Sequence, residues 1–307
     1  MASETATETT AELEKPSVCP LDCPDTCSLQ VTVDNGRIAK VRGSDVNPLT
    51  KGVICNKVAR LYPDFVHGDN RLTQPLRRIG AKGEGKFEAI SWVEALDLIH
   101  DRFQDAIAEH GPQTILPLNY AGPHGLLAMG SMDLRFFHQL GASVLSRRPM
   151  CGGIKTEAWL GTFGTIAGAQ MTDIEDAKLI VVWGNNVTFS NLHLAPVLQR
   201  VRDQGGKVVV VDPIRIKVAE QADMHIAPRP GTDVVLAFAL ANELERLGAF
   251  DQDFIAEKVE GADDFMAEAR TYSLERAAEI TGVAKADIRT LAAWYHDAEP
   301  ALIATGN

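Results

Sequence analysis

Leu179-Ile180-Val181-Val182-Trp183-Gly184-Asn185-Asn186, then Gly205-Gly206, then Val208-Val209-Val210-Val211-Asp212-Pro213, is the passage on which the fold turns. Two apolar runs of strand length flank a segment whose residues from Leu192 to Arg202 have helical spacing. Runs that are apolar at every position, rather than at alternate ones, describe strands buried on both faces. Strand, helix and strand in that order make a crossover unit, so the strands run parallel. An α/β fold with a doubly wound parallel sheet is therefore expected. Such sheets bind ligands beyond the carboxyl ends of their strands. Gly184, Asn186 and Ser190 follow the first strand at that edge, and Asp212 and Pro213 follow the second. An acidic residue there accepts hydrogen bonds from ribose hydroxyls, which makes a nucleotide the natural ligand. Gly184 to Ser190 lacks the G-x-G-x-x-G pattern, which argues against an ordinary nicotinamide site. Further on, Pro230-Gly231-Thr232-Asp233 leads from 227 onward into an apolar helix and puts a second loop at the same edge. The same residues also read as helix caps and turns.

Toward the N-terminus the pattern changes. Ser91-Trp92-Val93-Glu94 is a capping box, and Val93, Leu96, Ile99, Phe103 and Ile107 continue it as a helix stopped by Gly111-Pro112. The apolar run 114–118 reads as a buried strand ending in Asn119-Tyr120-Ala121-Gly122-Pro123. Leu29, Val31 and Val33 alternate with polar residues, Asp34-Asn35-Gly36 turns, and Ile38 and Val41 resume, which describes a hairpin. Asn47-Pro48 and Gly52 then turn the chain back to Cys55.

Cys55 completes a set with Cys19, Cys23 and Cys27, spaced C-x3-C-x3-C-x27-C. Three thiols on one loop and a fourth returned by a folded excursion is a common way to hold a four-iron cluster. Pro20 and Pro24 keep the loop from being helical, so it must wrap something. Structural zinc prefers closely paired ligands and is the second reading. Two disulfides come third, because no basic and apolar leader points to an oxidising compartment.

The remaining composition narrows the class. At 307 residues two or three domains are expected. The apolar runs are too short to cross a bilayer, so no membrane insertion is expected. A net charge of -11 argues against a nucleic-acid surface. Residues 1–15 read as a disordered tail and 16–72 as a small β-rich iron–sulfur unit, with α/β segments over 73–146 and 147–307. A cytoplasmic location follows from this reading.

Taken in order, these pieces resemble the molybdopterin oxidoreductase family, which includes formate dehydrogenases, nitrate reductases and dimethyl sulfoxide reductase. The matching residues are the cysteines with Cys55-Asn56-Lys57, then Arg71-Leu72-Thr73-Gln74-Pro75-Leu76, the Ser91-Trp92 helix start, Trp183-Gly184-Asn185-Asn186, Asp212-Pro213 and Pro230-Gly231-Thr232-Asp233. The resemblance implies a 4Fe-4S cluster on Cys19, Cys23, Cys27 and Cys55. It also implies a bis-molybdopterin guanine dinucleotide carrying molybdenum or tungsten, contacted by Gly184, Asn186, Ser190, Asp212, Pro213, Gly231 and Asp233. On this likeness 147–307 is a Rossmann-like dinucleotide-binding domain. Cys151, in Arg147-Arg148-Pro149-Met150-Cys151-Gly152-Gly153, falls where the family supplies its protein ligand to the metal. Gly152 stands where formate dehydrogenases usually have histidine. Lys57 falls between cluster and pterin. A cation about 5 Å from a cluster would stabilise its reduced form by roughly 3 kcal/mol at an effective dielectric near 20. The implied function is two-electron oxidation or reduction of a small-molecule substrate, coupled through the cluster to a redox partner protein or electron-transfer subunit. The alternative is a non-catalytic iron–sulfur electron-transfer or structural subunit of the same fold. Ala301-Leu302-Ile303-Ala304-Thr305-Gly306-Asn307 looks like a strand entering a ligand loop, so a truncated C-terminus is expected.

Overall fold

A computed structural model describes residues 13–120, 131–146, 151–166, 168–170 and 172–306. The chain divides into two compact units, Met1–Gly153 and Ile154–Asn307.

The first unit opens with an antiparallel sheet of β1 (Leu13–Val18), β2 (Ser28–Asp34) and β3 (Arg37–Gly43), in that spatial order. β1 starts inside the tail expected over 1–15: Leu13 to Lys15 pair with Val33 to Val31. Pro16, which has no N–H to give a ladder, is tolerated because β1 is an edge strand. The β2–β3 hairpin closes through Asn35 and Gly36, both at positive φ (48° and 76°), the conformation that suits a two-residue turn. α1 (Asn56–His67) packs on β3 and lays Val58 against Cys27, Leu29 and Val41.

β4 (Leu76–Arg78) and β5 (Phe87–Ala89) form a short antiparallel pair, followed by α2 (Trp92–His110), α3 (Met132–Leu140) and α4 (Gly152–Phe163), which runs into the second unit. The capping box forms: the Glu94 amide donates to Ser91 Oγ at 3.2 Å, and the Ser91 amide donates to the Glu94 carboxylate at 2.8 Å. The helix forms over the expected span, and among the described residues none of α2 is buried, Val93 being 68% exposed. One expectation is corrected here. The strand expected over 114–118 does not form. Pro112–Thr114 is a 3-10 turn and 115–120 are irregular, because Pro117 lacks an amide and no described strand pairs with the segment. Residues 121–123 of that expected loop lie outside the described residues.

The second unit is a four-stranded parallel sheet. Its strands are β6 (Leu179–Trp183), β7 (Lys207–Val211), β8 (Met224–Ile226) and β9 (Ala301–Thr305), in the order β8-β7-β6-β9. α5 (Val187–Ser190) and α6 (Leu194–Asp203) connect β6 to β7, whereas α7 (Asp233–Leu247), α8 (Gln252–Lys258), α9 (Ala262–Arg270), α10 (Leu274–Thr281) and α11 (Lys285–Asp297) connect β8 to β9. Both faces are covered. Ile180, Val182, Val208 and Val210 pack with Leu194, Val197, Leu198 and Val201 of α6, while Leu179, Val181, Val209 and Val211 pack with Leu236, Leu274, Ile288 and Leu291. This is why every position of β6 up to Val182 is apolar. Each such side chain contributes about 1.5–3 kcal/mol when withdrawn from water.

Candidate cofactor sites

The cysteine loop is closed at its base by the sheet. β1 and β2 pair up to Val18 opposite Ser28, and the Cys19 amide donates to the Cys27 carbonyl at 2.9 Å. Residues 19–27 between them are not helical, so Cys19, Cys23 and Cys27 are set round a loop. Asn47 fastens the next excursion to it: its Nδ2 donates to Ser28 Oγ at 3.1 Å, and its Oδ1 accepts the amides of Leu49 and Thr50. Gly43 and Gly52 then pass so closely that a Cβ on Gly43 would stand 2.2 Å from the Gly52 carbonyl oxygen. That close approach lets the chain reach Cys55, the residue just before the N-terminus of α1, the end of a helix that favours negative charge.

The four thiols interact. Burial first, then the charge of Asp25, then Cys19, Cys23 and Cys55 push the Cys27 thiol up to about 12. Cys19 is raised by burial and by Cys23 and Cys55, against the lowering effects of the Leu21 amide and of Lys57. Tyr62, which packs against the same small cluster, is raised by burial and by Cys19 and Cys55. Lys57, in the first turn of α1, therefore acts electrostatically on the cysteine set. Among the described residues no three His, Cys, Asp or Glu side chains stand close enough to hold one metal ion. Four thiols, three on one loop and a fourth returned at the start of α1, within electrostatic reach of one another, are a donor set of the kind that holds an iron–sulfur cluster.

Cys151 immediately precedes α4, is exposed, and has φ of +64°, a conformation that costs a side-chain-bearing residue energy. Arg147 to Met150 lie outside the described residues.

The strand-end loops of the second unit assemble where the parallel sheet requires. Gly184 follows β6 at φ of +59° and its amide donates to the Val211 carbonyl, which ties the β6 and β7 exits together. Gly306 follows β9 against the same loop: a Cβ on it would lie 1.9 Å from the Gly184 carbonyl oxygen. Asn186 and Ser190 are locally engaged. The Ser190 hydroxyl donates to the Asn186 carbonyl at 3.1 Å, and Asn186 Oδ1 accepts from Thr188. One oxygen of Asp212 accepts the Ile214 amide at 2.8 Å, making a turn that includes Pro213. Gly231, at φ of +83°, sits in the loop before α7, whose first residue is Asp233. These residues share one edge of one sheet. Cys151 belongs to the first unit.

A model of the molybdopterin oxidoreductase Fe4S4 domain matches residues 13–67, which include all four cysteines, and one of molybdopterin oxidoreductase matches residues 71–306. The chain belongs to the molybdopterin oxidoreductase family. The probable oxidoreductase YoaE of Bacillus subtilis (strain 168) is 38% identical over 291 residues, 95% of this chain and 42% of that protein. Formate dehydrogenase H of Escherichia coli (strain K12) is 27% identical over 298 residues, 94% of this chain and 41% of its own length. Acetylene hydratase from Pelobacter acetylenicus superposes with a TM-score of 0.73 at 27% identity, covering 93% of this chain and 39% of that one. The chain thus spans about two fifths of the length of the relatives it matches. Among the described residues no helix is long and apolar enough to cross a membrane.

Two contacts in these loops are not visible in the linear chain. Asp25, buried in the cysteine loop, acts on Cys27, and Trp183 donates its indole N–H to Asp233. Asp25 could have been found from its place between Cys23 and Cys27. The Trp183–Asp233 bond joins residues fifty positions apart, beyond the reach of local pattern.

Proposed function

We propose that this chain forms the cluster-bearing and dinucleotide-binding part of a molybdenum or tungsten oxidoreductase, which oxidises or reduces a small-molecule substrate and exchanges electrons with a redox partner protein in the cytoplasm. The observation that carries the reading is that the four interacting thiols and the strand-end loops fall, in order, inside the two family-model matches. When bound, the pterin-held metal supplies two-electron exchange with substrate, and the cluster supplies one-electron steps.

The chain's own residues have distinct parts in this. Cys19, Cys23, Cys27 and Cys55 would hold the iron, Cys27 being the buried member of the set. Lys57 places a positive charge by the thiols and favours the reduced cluster. Cys151 offers an exposed thiol at the start of α4 as the protein ligand to the metal; a soft thiolate suits a metal already bound by sulfur. Gly184, Asn186, Ser190, Asp212, Pro213, Gly231 and Asp233 line the sheet edge for the bis-molybdopterin guanine dinucleotide, with Gly184 and Gly231 admitting backbone to close approach.

Metal analysis of anaerobically purified protein tests the reading. About four iron and about one molybdenum or tungsten per chain are expected. Iron alone would support the non-catalytic electron-transfer or structural subunit instead, and zinc without visible iron–sulfur absorbance would overturn both.

A further inference from the structure

We propose that Trp183 is a positioning residue that sets the base selectivity of the dinucleotide site by holding the carboxylate of Asp233. The inference rests on the proposed reading of Asp233 as a contact to the guanine dinucleotide, and takes that contact to be with the base. Trp183 ends β6, where its ring packs against the apolar layer under α7 and α11, and its Nε1–H donates to Asp233 Oδ1 at 2.8 Å. The loop before Asp233 is already fastened without that bond. The Arg229 guanidinium donates to the carbonyls of Glu279 and Ile280 at 2.6 and 3.1 Å, at the end of α10. The Arg229 amide donates to the Thr281 carbonyl at 2.8 Å, and the Thr232 hydroxyl donates to the Arg229 carbonyl at 2.7 Å. With the backbone fixed from that side, the indole determines chiefly which way the carboxylate faces.

An ionised carboxylate has about four acceptor sites, and the indole occupies one. The rest can take two adjacent donors as a bidentate pair. Guanine offers such a pair, N1–H and N2–H, on one edge; hypoxanthine lacks the second donor, and adenine presents an acceptor in place of the first. A carboxylate free to rotate would accept single donors nearly as well, so the fixed orientation is what rewards the pair. A site built around paired donors discriminates because an analogue leaves an acceptor unsatisfied.

The test is calorimetric titration of the 307-residue chain with GDP, IDP and ADP. Wild type should bind GDP about tenfold more tightly than IDP or ADP. Trp183→Phe should bring GDP and IDP within about twofold while leaving ADP unchanged, and Asp233→Asn should abolish the GDP preference. If Asp233→Asn does so but Trp183→Phe keeps the preference, the role of Trp183 is overturned while the Asp233 contact stands. A wild-type chain with no preference, or an Asp233→Asn variant that retains it, removes the base contact itself and the inference with it. Should Trp183→Phe not fold, the wild-type indole N–H resonance decides: it should shift on adding GDP and stay in place with ADP. An indole that does not respond to bound GDP contradicts the proposal.

Discussion

Lys57 illustrates how much one residue's chemistry depends on its neighbours. As a lysine alone it would be a solvated surface charge, but two residues after Cys55 it sits in the first turn of α1 and lowers the proton affinity of Cys19. The same field acts on any electron added to a group held by these thiols. Replacing it, as in Lys57→Gln, should lower the midpoint potential of the cluster, by up to about 0.1 V with solvent screening reducing the figure. A redox titration followed by EPR reads this directly, with Lys57→Arg expected to stay near wild type. A potential unmoved by Lys57→Gln would mean that its charge is fully screened. Cys151 is the complementary case, a residue whose type was legible and whose positive φ was not. No local pattern in the sequence announces left-handed backbone at a cysteine.

At the level of elements, local signals succeeded where the determining contacts were local. The α2 start was readable because Ser91 and Glu94 satisfy each other's amides within one turn. The pairing also has a pH signature. The Glu94 carboxylate is held below the ordinary range, by the Ser91 amide first, then by the Ser91 hydroxyl and by Arg77. A depressed folded-state value means stability that is present above the unfolded value, about 4.3 for glutamate, and lost as pH falls through the folded value. Ser91→Ala should cost about 1 kcal/mol near neutral pH, and the gap to wild type should narrow as the pH drops below about 4. Amide exchange in the first turn of α2, or denaturant unfolding at both pH values, measures it. An undiminished gap at low pH would show that Glu94 plays no part in the cap. The segment 114–118 failed as a strand for the opposite reason. Its apolar run was visible, but a strand exists only through a partner, and Pro117 withholds an amide from one.

Across the whole molecule the two units have very different resources. Residues 154–307 bury two apolar layers on a parallel sheet. Among the described residues the sheet of β1–β3 with α1 gathers Cys27, Leu29, Val41 and Val58 as its buried cluster, two of them on or beside the cysteine loop. A core that small is expected to depend on a bound cofactor for its stability. Stripping iron from the protein with a chelator should therefore abolish amide-exchange protection at Val31 and Val41 while leaving Val181 and Val209 protected. Retained protection at Val31 would show that the small sheet folds without metal. The α/β class, the parallel strands and the four candidate ligands were all legible in the linear chain. They depend on burial on both faces, on crossover handedness and on thiol spacing, each a property of neighbouring residues. Folding alone determined the rest. Gly43 passes Gly52, Gly306 meets Gly184, and Trp183 reaches Asp233 because residues far apart in sequence are brought within a hydrogen bond or a van der Waals radius. Such approaches leave no periodic trace, since one glycine or one tryptophan serves where the sheet happens to bring its partner.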